Sequence, residues 1–169
     1  MMISHYMFNE TRKLKSFMLK YSRKLYLQFP PSEPCSCSVC RNYCYRPGWW
    51  LVCEAREAIE QGYANRMMLE FSPDFSFGVL SPAFKQNEAY FALKKFSKNG
   101  CTFYIDQKCI LFGKSFQPLE CRFCHHTRFG QGEKCHHAIE QDWKTSKGKR
   151  LIENWLSINN LQLPSFVKE

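Results

Sequence analysis

Apolar residues recur at three- and four-residue steps near the start of the chain: Leu14, Phe17, Met18, Tyr21 and Leu25. That is the helical period, and it predicts a helix over 9–27 with Asn9 or Thr11 as its cap. Arg12, Lys13, Lys15, Lys20, Arg23 and Lys24 fill the other face against the lone acid Glu10. Such a face is either the solvated side of a docked helix or a surface for phosphates. Pro30, Pro31 and Pro34 stop the helix, because proline cannot extend the ladder and pushes its predecessor toward extended geometry.

Glu54 to Gly62 combines strong helix formers with acids in the first turn and a glycine stop, so a short helix is expected there. Residues 66–71 suit a helical turn or a strand, and Ser72-Pro-Asp and Ser81-Pro mark loops. Thr102–Ile105 and Lys108–Phe112 are β-rich runs parted by Asp106-Gln107, which predicts a hairpin. Two helices close the chain, 135–143 and 146–156; Leu151, Ile152, Trp155 and Leu156 form one apolar face of the second. The sum is a small, helix-rich α+β domain with a short β-hairpin and irregular loops. Its proline break divides an N-terminal helix, 1–30, from a main body, 35–169.

At 169 residues, 44% of them hydrophobic, the chain can build a real core and need not rely on metal for its whole fold. The N-terminal stretch has no apolar region and cleavage site of the signal-peptide kind, and the longest apolar run, Trp49–Cys53, is too short to span a bilayer. A cytoplasmic protein in a reducing compartment is therefore expected. The net charge of +9 allows nucleic acid or an acidic protein as partner, and argues about association rather than fold. Lys147-Gly-Lys-Arg150 and the exposed aromatics would join the basic helix in such a role.

Ten cysteines change the picture most. Cys35, Cys37, Cys40 and Cys44 crowd one stretch beside Ser, Arg, Asn and Pro; Cys101, Cys109, Cys121 and Cys124 occupy a later one. Buried free thiols pack as small hydrophobes, which suits Cys53 in its apolar run but not such clusters. In a reducing compartment clustered thiols hold metal more readily than disulfides, which remain the rival. Cys-x2-Cys, the spacing at which a tight turn aims two sulfurs at one ion, occurs at Cys37/Cys40 and at Cys121/Cys124. The expected centre joins 35–44 to 101–124. Cys-His-His occurs at 124–126 and 135–137, adding His125, His126, Cys135 and His136 as further donors. One histidine of each doublet is expected to face a common centre, since adjacent side chains diverge. The Trp49-Trp50 pair covers the core beside a knuckle or stacks on a ligand ring.

These clusters resemble the YkgJ-type family of zinc- or iron-chelating domains. Gly100-Cys-Thr-Phe103, Cys109-Ile-Leu-Phe112 and Gln117-Pro-Leu-Glu-Cys121-Arg match that family's second block, and Cys37, Cys40 and Cys44 match three of the four thiols of its first. Tyr43 stands where the family has its third cysteine; Cys35, Cys53 or Cys124 could restore the count, Cys35 and Cys124 being better placed. The resemblance covers roughly residues 35–125 and implies a metal-chelating domain without separating zinc from iron.

Cysteine ligation fits tetrahedral zinc, an iron–sulfur cluster or mononuclear iron. Zinc is favoured because Cys35-x-Cys37-x2-Cys40-x3-Cys44 only approaches the usual iron–sulfur spacing. A histidine replacing a thiolate could leave an open position of the kind a catalytic metal needs. The chain carries no Gly-rich phosphate loop, His-Glu-x-x-His or Gly-x-Ser-x-Gly.

Overall fold

The computed structural model describes residues 23–164. Most of the basic helix expected over 9–27 lies outside the described residues. Its last part, α1 (23–28), is helical, and Leu25 and Phe29 are buried.

Three tryptophans organise the core. Trp50, Trp143 and Trp155 are fully buried, and burying an indole costs least when its N–H has a partner. Trp50 Nε1 donates to the Phe116 carbonyl at 2.6 Å, Trp143 Nε1 to the Trp50 carbonyl at 2.7 Å and Trp155 Nε1 to the Ala64 carbonyl at 2.8 Å. These bonds tie together α3 (Val52–Glu60), α5 (Gly132–Trp143), α6 (Ser146–Ile158) and the loops between them. Asp142 Oδ2 accepts the Val52 N–H at 2.7 Å, satisfying a helix-start donor of α3 from the end of α5.

Against these helices lies a three-stranded sheet of order β2-β1-β3, with β1 Met67–Phe71, β2 Gly78–Pro82 and β3 Tyr90–Phe91. β1 and β2 are antiparallel in the register Leu69↔Leu80, and β3 joins β1 in parallel. Residues 66–71 are thus a strand, after a single 3-10 turn at Ala64–Arg66. The loop expected at Ser81-Pro is instead the end of β2. Every residue of that strand is buried, so it shows no alternation, and Pro82 sits at its last position, where the missing N–H is tolerated.

The predicted hairpin forms but is short: β4 Tyr104–Ile105 pairs with β5 Lys108–Cys109. Asp106 and Gln107 take φ of 47° and 61°, the left-handed pair that a two-residue turn matched to strand twist requires. Among the described residues two further α-helices are formed, α2 (Ser38–Tyr45) and α4 (Leu119–Phe123). The domain is α+β, and no described helix is long and apolar enough to cross a membrane.

One buried acid joins the two halves. Glu54 Oε2 accepts the N–H of Leu51 at 2.9 Å and of Leu119 at 3.0 Å, while Oε1 accepts the Tyr26 hydroxyl at 3.0 Å and pairs with Arg122. Burial pushes its carboxyl up to about 7 against the pull of Arg122 and the two N–H groups. A first-turn acid suggests a helix-dipole partner; here its four contacts tie α1, α3 and α4 together.

Candidate metal centre

A cleft of about 1070 Å³ opens between α2, the β4–β5 hairpin, α4 and α5. At its outer end the extended strap 30–35 is pinned to α4 and the 3-10 turn His126–Arg128. Ser32 N–H donates to the Arg122 carbonyl at 2.8 Å, and Arg128 donates to the carbonyls of Pro30 at 2.6 Å and Phe123 at 3.1 Å. The strap therefore delivers Cys35 and Cys37 beside His126.

His126 Nδ1 lies 3.5 Å from Cys35 Sγ, 3.6 Å from Cys37 Sγ and 3.4 Å from Cys40 Sγ. With zinc bonds of about 2.3 Å to sulfur and about 2.0–2.1 Å to nitrogen at the tetrahedral angle, ligands sharing an ion have an S···N separation of about 3.5 Å. Backbone donors support the sulfurs: Cys37 caps α2 by accepting the Cys40 N–H at 3.5 Å, and Cys40 accepts the His126 N–H at 3.4 Å. The Cys40 N–H first, then the neighbouring Cys35 and Cys40 thiols, lower the Cys37 thiol below its ordinary value.

Ligand atoms of Cys35, Cys40, His125 and His126 all fall within 4.8 Å of one another, and this group could hold a metal ion. At 125–126 the two imidazoles lie side by side, both within reach of this group. His125 is extended, with φ −155° and ψ 152°, just before the 3-10 turn, and the two rings lie 4.1 Å apart. Its Nδ1 is occupied, accepting the Thr127 N–H at 3.3 Å and lying 2.7 Å from Thr127 Oγ1.

A second set of thiols lies deeper. Cys44 ends α2, Cys101 precedes β4, Cys109 is in β5 and Cys121 is on α4, and all four line the cleft. Cys101 interacts electrostatically with Cys109 and Cys44, and Cys121 with Cys101 and Cys109. The Tyr104 N–H donates to the Cys101 carbonyl at 3.0 Å and the Phe112 N–H to the Cys109 carbonyl at 3.1 Å. Gly48 donates to Cys121 Sγ at 3.3 Å, and a Cβ there would sit 2.9 Å from the same sulfur, so the approach needs glycine. Burial pushes all four thiols up, Cys101 to about 12. Only the first group converges to within 4.8 Å among the described residues.

The clusters are thus divided differently from their spacing. Cys44 leaves Cys35, Cys37 and Cys40 for the later thiols. The Cys121/Cys124 pair splits, because Cys124 has Cys40, Glu120, Arg46 and Arg128 as electrostatic neighbours. Of the candidates to offset Tyr43, Cys35 lies in the first group, while Cys53 packs against the core. Cys135 is fully buried on α5. His136 Nδ1 pairs with Glu120 Oε1 at 3.1 Å and its ring stacks on Trp49 at 3.7 Å. The hydrogen bond to Glu120 raises His136 above its ordinary value. None of the ten cysteines is joined in a disulfide.

Fold and site together define a small α+β domain with a Cys/His group able to hold a metal ion. No known protein family, curated protein or solved structure matches the chain.

Proposed function

We propose that the protein is a metal-chelating domain of the YkgJ kind with two ions, at least one of them structural. Cys35, Cys37, Cys40 and His126 hold a closed tetrahedral zinc. Cys44, Cys101, Cys109 and Cys121 hold a second ion deeper in the cleft. The observation that carries this reading is the near-equal spacing of His126 Nδ1 from three sulfurs, 3.4–3.6 Å, at the separation zinc imposes on its ligands. In the first site the ion neutralises thiolates and joins the strap and α2 to the turn at 126–128.

An iron–sulfur centre is the second reading for the deeper set. Four cysteines lining one cleft, with the Gly48 N–H on Cys121 Sγ, make the surroundings that tune such clusters. Metal analysis of anaerobically purified protein, with its visible spectrum, separates the two. A colourless protein with two zincs supports zinc at both sites; a brown protein whose colour bleaches on reduction and disappears in Cys121→Ser supports iron–sulfur at the deeper one. Metal content unchanged in both His126→Ala and Cys121→Ser would overturn the two-centre reading.

A further inference from the structure

Helix α2 is unlike its neighbours. Its eight residues include none that is buried, whereas Val52, Glu54, Ala55 and Ala58 of α3 are buried. Val39 and Tyr45 are 45% and 51% exposed. A helix this short is marginal on its own and ordinarily owes its stability to an apolar face packed on the core. What α2 has instead is sulfur. Cys37 is its N-cap, and Cys40 and Cys44, four residues apart, lie on one helical face. Cys40 belongs to the outer group and Cys44 to the deeper one. Beyond these, the Tyr45 ring meets Tyr104 at 5.8 Å and packs over Gly100. Cys40, Tyr43 and Cys44 form one wall of the cleft.

We infer that α2 is a metal-held lid: the two ions fix its ends, and losing them releases the helix and opens the cleft while the tryptophan core stays folded. The inference rests on the two-centre reading. It makes the cleft accessible in proportion to metal loss, and it couples the centres, because an ion at the outer group orders α2 and so presents Cys44 to the deeper one.

Trypsin reads the lid directly. Arg41 lies exposed within α2 and is followed by Asn42, whereas Arg46 is followed by Pro47, which blocks cleavage. The full chain, zinc-loaded or stripped with a chelator, is digested briefly, and the Arg41–Asn42 cut is followed by mass spectrometry. Near-UV circular dichroism monitors the buried tryptophans in parallel, and bound metal is counted. The expected result is a rise of about 100-fold or more in cleavage on stripping, since proteolysis follows the population of the open form, with the near-UV signal kept. His126→Ala with zinc supplied should lose one metal equivalent and raise Arg41 cleavage above the zinc-loaded level, short of the stripped protein. Equal protection of Arg41 after proven metal loss would overturn the lid and leave the metal reading standing. Loss of the near-UV signal together with Arg41 protection would overturn it in favour of a fold wholly dependent on metal. Absence of bound metal in the unmodified chain would overturn the reading beneath it.

Discussion

Helices α6 and α2 show two ways of holding a helix in place. α6 buries Gly148, Leu151, Ile152, Trp155 and Leu156, and its start is capped by Thr145, whose side chain accepts the Gly148 N–H at 3.3 Å. α2 buries none of its residues and carries cysteines at its cap and at two inner positions. The contrast extends to the halves they belong to. One side of the domain is held by apolar burial around three indoles; the other is a rim of thiols, imidazoles and short turns with little apolar surface to exchange for order. Where burial is missing, ligands must supply the restraint.

The largest way to break this contrast is to remove a ligand. A structural zinc site contributes about 10–16 kcal/mol of apparent binding free energy. Cys40→Ser or His126→Ala should therefore cost one metal equivalent, counted by elemental analysis, while Trp155→Ala keeps both. The converse sharpens the comparison. Trp155→Ala removes a fully buried indole and should lower unfolding free energy by about 3–5 kcal/mol, seen as a shifted urea midpoint in metal-loaded protein.

Glu54→Gln tests the joint between the halves. Arg122 would lose its carboxylate in a site where Glu54 is only 1% exposed, and about 3 kcal/mol of stability should be lost, again read from the urea midpoint. Metal stoichiometry should not change.

The smallest effect is a titration. The His136–Glu120 pair raises the histidine above 6.5. Its stabilising contribution is therefore fully present below the unfolded value and is lost as pH rises through the higher folded one. Trp49, stacked on this ring at 3.7 Å, should report the proton loss by fluorescence with a midpoint above 6.5. Glu120→Gln should move that midpoint down.

Much of the fold is legible in the sequence. The closing helices follow from the spacing around Trp143 and Trp155, and Asp106-Gln107 marks the hairpin turn. β2 is not legible: buried on both faces, it loses the alternation that identifies a strand, and Ser81-Pro82 then looks like a loop. The site divides in the same way. Spacing identifies the cysteines, because few other roles gather thiols among polar residues, but it does not tell which sulfur joins which group. That depends on α2 carrying Cys40 and Cys44 to different neighbours, and on α4 turning Cys121 inward and Cys124 toward Cys40. The placement of His126 depends on a backbone hydrogen bond to Cys40, a contact with no local signature. Glu54 was equally hidden, since an acid in a helix's first turn gives no sign of burial.

The central claim is that three sulfurs and one imidazole share an ion at the outer end of the cleft. Zinc-edge X-ray absorption on zinc-loaded Cys121→Ser protein, in which the deeper set is disabled, tests it most directly. The account predicts three sulfurs at about 2.3 Å and one nitrogen at about 2.0–2.1 Å, with the nitrogen shell lost in the Cys121→Ser, His126→Ala double variant. A shell of four sulfurs, or the same nitrogen shell in the double variant, would contradict it.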